Sequence, residues 1–274
     1  MDYVLDGVKN FDLEQIFECG QAFRFTKDDS SEVLRYRGVA KGKYLCVRQD
    51  GERVVFENTT EEEYKELWEE FFDLGRDYGA IIASIKEPHA KKCAEMGRGI
   101  RILRQEPWET VCSFIVSQNN NIPRIKKIIE TLCERFGEKI HGGYYAFPTA
   151  KALYEAGEDA IFACRTGFRA KYIYDAAKRF YTGEFDVESA LTASYEELSA
   201  ALMSIKGVGP KVAACASLFG FAHYESFPID VWIKRVIDKY YGEKFDVKLF
   251  GEHAGIVQQY LFYYERSLQD KENL

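Results

Sequence analysis

The sequence predicts an α+β fold: a small N-terminal antiparallel β-sheet subdomain followed by a helical bundle. Three observations carry that prediction. Residues 1–58 alternate apolar and polar side chains in the manner of strands. From Thr60 onward the apolar residues recur with a 3.6-residue period. No repeat or low-complexity linker interrupts the chain.

The elements follow in order. Val33–Val39 and Tyr44–Arg48 flank Ala40-Lys41-Gly42-Lys43 and predict a hairpin, and Arg53–Glu57 adds a further strand. Helices are expected over Trp108–Gln118, Ile122–Phe136, Ala170–Tyr181, Tyr195–Ile205, Lys211–Phe219 and Val231–Tyr240, with 246–268 as one long terminal helix. We divide the chain into a sheet-containing domain, 1–104, and a helical domain, 105–274.

At 274 residues the chain can bury a sizeable core. No apolar run approaches transmembrane length. The N-terminus, Met-Asp-Tyr-Val-Leu-Asp-Gly, is acidic and unlike a signal peptide. Seven scattered cysteines, an odd number, favour a reducing compartment and free thiols. The four histidines, His89, His141, His223 and His253, have no ligand spacing, and the last cysteine is Cys215. No metal site is therefore expected.

A net charge of −7 argues mildly against a nucleic-acid partner. Much of that acid is local, however. Glu61, Glu62, Glu63, Glu66, Glu69 and Glu70 crowd one helical run with Lys65 as its only base, which reads as a solvated face. Basic residues gather at Arg98, Arg101 and Arg104, at Arg124, Lys126 and Lys127, and at Arg165, Arg169 and Lys171. A local basic face can outweigh the net charge.

The most informative stretch is Ile205-Lys206-Gly207-Val208-Gly209-Pro210-Lys211, followed by Pro228-Ile229-Asp230-Val231-Trp232. Gly207 and Gly209 allow a tight reversal between two helices, and Pro210 suits the first turn of the second. The free N–H groups at that helix start can hold a phosphate. Lys211 sits at the same positive end, whose field disfavours its ammonium form and favours a nucleophilic amine. Asp230 can cap the helix after it, and it can equally face a positive charge developing on a sugar.

This combination resembles the helix-hairpin-helix, Gly-Pro-Asp superfamily of DNA glycosylases. Cys19-Gly20-Gln21-Ala22-Phe23-Arg24, Ser117-Gln118-Asn119-Asn120-Asn121-Ile122-Pro123-Arg124-Ile125 and Gly167-Phe168-Arg169-Ala170-Lys171-Tyr172 resemble, in the same chain order, its 8-oxoguanine branch. The resemblance spans about residues 4–264. It implies Lys211 as nucleophile and Asp230 as the stabilising carboxylate. It implies a base pocket of Gly20, Cys215, Gln258 and Phe262, with the terminal helix helping to line it. Gln258 and Phe262, four apart, share a helix face. It further implies that Asn119 fills the hole left by the flipped nucleotide, and that Arg124 and Arg169 read the orphaned cytosine. Phe168 would be the unstacking wedge, and Gly207 and Gly209 the phosphate hairpin. Eukaryotic members carry tyrosine at Phe168 and histidine at Trp232, so contacts through those polar groups are not implied.

The implied partner is double-stranded DNA containing oxidised guanine, bound by a monomer in the cytoplasm of a prokaryote or the nucleus of a eukaryote, with no membrane. No cofactor is implied. The four-cysteine iron–sulfur run of some relatives is missing, and hairpin carbonyls could hold a monovalent cation on DNA. Two other readings stay open: a glycosylase for another damaged base, and a non-catalytic DNA-binding module.

Overall fold

The protein is described from a computed structural model that covers residues 1–272. Five antiparallel strands form one sheet in the order β1-β5-β4-β3-β2: β1 is Tyr3–Leu5, β2 Phe25–Lys27, β3 Leu34–Ala40, β4 Lys43–Asp50 and β5 Arg53–Glu57. The expected hairpin is β3–β4. It closes at Ala40↔Lys43 through Lys41 (φ 50°) and Gly42 (φ 71°). Positive φ at both turn residues gives the twist that suits a two-residue hairpin.

One face of the sheet buries Tyr36, Leu45, Val47, Val54 and Phe56 against the helix Leu13–Glu18 and the helical run of residues 61–71. That run is the acidic segment. Tyr64, Trp68 and Phe71 point inward, so most of its glutamates point outward. Glu70, exposed like its neighbours, also pairs with Lys41 and Arg104.

A second core lies among the helices. The expected segment Ile122–Phe136 is a helix with those bounds. The helices Pro107–Ser117, Ala170–Thr182, Tyr195–Met203 and Pro210–Gly220 fall within two residues of expectation at each end. The segment at Val231 is α-helical to Val236 and widens into a π-type turn over Ile237–Tyr241. The helices Tyr78–Ser84 and Pro88–Met96 also belong to this core, and the second packs on the terminal helix.

Two expectations are corrected. Residues 246–268 are not one helix: a 3-10 segment, Val247–His253, breaks at Gly251 (φ 59°, ψ −146°) before the helix Ala254–Glu272. Only glycine adopts that backbone readily, so the break lies where the residue permits it. The terminal helix is then fixed by burial of Ile256, Tyr260 and Leu261, with Ile256 and Leu261 each contributing about 1.5–3 kcal/mol. The second correction concerns Arg98, Arg101 and Arg104, which form no free basic face. Arg101 is buried and donates to the carbonyls of Asn10, Phe72, Asp73 and Arg76 while stacking on Tyr78. Arg98 pairs with Glu95, and Arg104 with Glu70 and Asp73.

Among the described residues no helix is long and apolar enough to cross a membrane.

Candidate active site

A cavity of about 710 Å³ opens between the helical core and the loop after Leu13–Glu18. Gly20, Asn119, Gly209, Lys211, Cys215, Asp230, Gln258 and Phe262 all line it. Eight of the twelve expected site residues, scattered over more than 240 positions of sequence, therefore share one wall. Gly207, Arg124, Phe168 and Arg169 do not line it.

Lys211 stands in the first turn of the helix Pro210–Gly220, whose N-cap is Gly209. Its amine is held. Nζ donates to Ser117 Oγ at 3.2 Å, Ser117 donates on to Phe114 O at 2.8 Å, and Nζ lies 5.2 Å from the Phe114 ring centroid. The half-buried amine thus meets a hydroxyl and an aromatic face, with no carboxylate within 4 Å among the described residues.

Asp230 takes the capping role offered by its sequence position and also lines the cavity. Its Oδ1 accepts from Trp232 N at 3.0 Å and Ile233 N at 2.9 Å, capping the helix Val231–Val236. Burial raises its pKa from the ordinary aspartate value, while the two N–H bonds and the nearby Lys211 oppose that rise. The cap fixes the carboxyl group at the cavity wall.

The hairpin is tied to the helix Ala170–Thr182. Lys206 N donates to Asp175 Oδ2 at 2.9 Å. Gly207 has φ +81°, and a Cβ there would come within 2.3 Å of the Tyr172 ring. Glycine is therefore required twice over, by backbone and by contact. Gly209 has open space where a Cβ would be.

The rest of the pocket wall comes from three places. Gly20 (φ +79°) faces the Phe262 ring, whose nearest carbon would lie 3.4 Å from a Cβ there. Cys215 lies one helical turn after Lys211, and burial pushes its thiol up to about 11, so it is a neutral contact surface. Gln258 is buried and engaged. Its Nε2 donates to Pro228 O at 3.1 Å and its Oε1 accepts from Gln259. This bond braces the loop that carries Asp230.

The Asn119–Asn121 loop is held from both sides. Asn121 caps the helix Ile122–Phe136 through Arg124 N. Asn119 is exposed at φ +46°, a conformation that asparagine tolerates better than most residues. Arg124 is exposed, with its guanidinium free of carboxylates among the described residues. Arg169 is different: it is buried, and it donates to the carbonyls of Thr166, Gln118 and Asn119. Its expected freedom to meet a base is absent in this state. Phe168 is exposed, and Arg169 Cζ lies 4.4 Å from its ring centroid.

Among the cavity residues that the sequence reading did not assign to the pocket, four make specific contacts or carry an unpartnered polar atom. Ser117 holds the amine, and Trp232 meets Phe262 edge-on with centroids 6.4 Å apart. Gln259 is buried with Oε1 unpartnered, and Arg266 donates to Glu18 O at 2.9 Å. Arg266 follows Phe262 by one turn and so was findable from helix spacing. Ser117 had no signal beyond its place in a motif.

Among the described residues no group of three or more His, Cys, Asp or Glu side chains could hold a metal ion.

A lysine-bearing hairpin, a capping aspartate and a cavity wide enough for a nucleobase point to a base-excision protein of the helix-hairpin-helix class. Comparison with known proteins agrees. Residues 4–111 match the N-terminal domain of 8-oxoguanine DNA glycosylase, and residues 112–249 match the helix-hairpin-helix-GPD superfamily of base excision DNA repair proteins. The chain belongs to that superfamily, in its 8-oxoguanine glycosylase branch. It is 32% identical over 255 residues to the N-glycosylase/DNA lyase of Saccharomyces cerevisiae, covering 84% of this chain and 68% of the relative. It matches the 8-oxoguanine glycosylase/lyase of Clostridium acetobutylicum, solved with double-stranded DNA containing cytosine opposite 8-oxoguanine, at TM-score 0.91 and 40% identity, covering 98% of this chain and 96% of that one. MBOgg1, solved with a low-affinity DNA ligand, matches at TM-score 0.92 and 42% identity over the same shares.

Proposed function

We propose that this chain is a bifunctional DNA N-glycosylase and lyase that excises 8-oxoguanine from duplex DNA, with Lys211 as nucleophile. The observation that carries the reading is the convergence of Lys211, Asp230, Gly20, Cys215, Gln258 and Phe262 on one cavity. The Lys211 amine, once neutral, attacks C1′ of a flipped nucleotide and displaces the oxidised base. The sugar opens to a Schiff base. Loss of a C2′ proton then expels the 3′ phosphate by β-elimination. The Asp230 carboxylate stabilises the positive charge that develops on the sugar.

Specificity follows from hydrogen-bond sign. Guanine N7 accepts a hydrogen bond, whereas in 8-oxoguanine N7 carries a hydrogen. The Gly20 carbonyl pairs with that hydrogen and would face a lone pair in guanine, which a buried site penalises. Phe262 and Cys215 sandwich the base, and Gln258, braced on Pro228, meets its edge. Phe168 is the wedge, Asn119 fills the vacated space, and Gly207 and Gly209 present phosphate-binding N–H groups. Arg124 reads an opposite cytosine, whose acceptors suit a guanidinium. Arg169 joins it only by releasing loop carbonyls. The route needs no protein-bound cofactor. Carbonyls of the hairpin suit a monovalent cation on the duplex, which would brace the phosphate contact. The enzyme acts as a monomer wherever the genome lies: the nucleoid in a prokaryote, the nucleus in a eukaryote.

A panel of duplexes varied in lesion and opposite base, with borohydride trapping, tests the reading. Trapping and excision should be fastest for 8-oxoguanine opposite cytosine. Equal activity on alkylated purines or oxidised pyrimidines would refute the substrate, and no trapping on any duplex would refute the chemistry.

A further inference from the structure

We propose that Gln21 is a positioning residue that sets the direction of the Gly20 carbonyl, and with it the discrimination between oxidised and unmodified guanine. The inference rests on the reading of Gly20 given above.

Gly20 sits at φ +79° and has no side chain to restrain it. Glycine is the residue with most backbone freedom to lose. Its carbonyl belongs to the peptide linking it to Gln21, so the aim of that oxygen depends on where the Gln21 Cα is held. No donor among the described residues meets the Gly20 oxygen itself. The restraint must come from the neighbour.

Gln21 supplies it on both sides of its Cα. Its side chain is fully buried. Nε2 donates to Ile16 O at 3.0 Å and to Arg101 O at 2.8 Å, and Oε1 accepts from Leu103 N at 2.8 Å. Its main-chain carbonyl accepts from Gln105 Nε2 at 2.7 Å. The acceptors are themselves rigid: Arg101 is locked by four carbonyls, and Ile16 lies in the helix Leu13–Glu18. Gln105 N donates to Phe219 O at 2.9 Å, at the far end of the helix that carries Lys211 and Cys215. One network thus references the base-reading carbonyl to the nucleophile. A glutamine needed only to fill the core would be replaceable by an apolar side chain of its size. The side chain of this one satisfies three main-chain groups, Ile16 O, Arg101 O and Leu103 N, and a buried group left unpartnered is costly.

The test uses Gln21→Met, similar in length but unable to form these bonds. Affinity is measured for duplexes carrying 8-oxoguanine, its analogue with a C–H in place of N7–H, guanine, and a stable abasic site. For the wild type, 8-oxoguanine should bind more tightly than the C–H analogue. In Gln21→Met that ratio and the 8-oxoguanine-to-guanine ratio should fall about fivefold to tenfold, the worth of one hydrogen bond. Abasic affinity and borohydride trapping on an abasic duplex, which need no base, should stay within twofold of the wild type per folded molecule. If the wild type binds the two analogues alike, the Gly20 reading fails and takes this inference with it. If the wild type distinguishes them and Gln21→Met does so equally well, the positioning role is overturned while Gly20 stands. A uniform loss across all four duplexes also overturns it, leaving Gln21 as a folding residue. Should Gln21→Met not fold, Gln105→Met removes the bond to the Gln21 carbonyl from a half-buried position, and the same ratios decide.

Discussion

Asp230→Asn separates the two roles of the carboxylate. In the structure Oδ1 makes both capping bonds, to Trp232 N and Ile233 N. Asparagine keeps that oxygen and caps about as well as aspartate. The substitution also removes a charge whose burial is unfavourable, since desolvation is the largest influence raising its pKa. Against that stands the attraction of a negative charge to a helix start, about 0.3–1 kcal/mol. These terms nearly cancel, so thermal stability should change by less than about 1 kcal/mol. The chemical step should not be spared. Losing one preorganised group aimed at developing charge costs about 10²–10³ in rate, or about 2.7–4 kcal/mol. The assay is single-turnover excision from an 8-oxoguanine duplex with thermal melting on the same preparation. The wild-type rate should also fall as acid protonates Asp230, a limb that the mutant should lack. A mutant cutting within threefold of the wild type would refute the electrostatic role and leave only the cap. A mutant that unfolds would mean that the charge itself holds the helix.

Lys211→Gln should abolish the borohydride-trapped adduct while keeping lesion binding within a few-fold, because only an amine forms the Schiff base; adduct at wild-type levels would remove Lys211 as nucleophile. Arg124→Ala should erode the preference for cytosine by about 1–3 kcal/mol with stability unchanged, whereas Arg169→Ala, which strips donors from three carbonyls, should lower melting temperature and weaken excision against all four opposite bases. Identical opposite-base profiles for these two mutants would sink the division of roles. Glu109, near Arg24 at 3.6 Å, is pushed up to about 7 by burial, with Arg24 opposing. A raised carboxyl pKa favours folding below the unfolded value, and that advantage is lost as pH rises from about 4.5 to about 7. Glu109→Gln should therefore gain stability relative to the wild type across that window and hold a constant difference above it; a difference flat from pH 5 to pH 8 would contradict the burial.

The parts of the molecule legible in the sequence are those decided by local chemistry. Gly42 after Lys41 marks the sheet hairpin, Asn121 followed by Pro123 marks a helix start, and Gly207 with Pro210 marks the other hairpin. Gly251 also carried its signal, overlooked inside a helical pattern that treats glycine as a small apolar residue. The site was legible only through resemblance to a family, because Gly20, Lys211 and Phe262 meet through tertiary packing that no period encodes. The fates of the arginines were not legible at all. Arg101, Arg124 and Arg169 look alike in sequence. One is buried on four carbonyls, one is exposed, and one is buried on three. Carbonyl acceptors leave no sequence trace, since every residue has one.

The same distinction resolves the conflict between a net charge of −7 and a polyanionic substrate. Lys41, Lys65, Arg35, Arg37 and Arg48, in the sheet half, all meet carboxylates. Arg124, Lys127, Lys171, Lys206, Lys211 and Lys234 meet none within 4 Å among the described residues, and Lys211 and Lys234 line the cavity. A cation already paired has little to gain from a phosphate, because the carboxylate must first be given up. An unpaired one exchanges only its counterion. Affinity for DNA should therefore follow the unpaired cations and their placement rather than the net charge, much of whose acid lies on the outward side of residues 61–71, where Tyr64, Trp68 and Phe71 turn toward the sheet core.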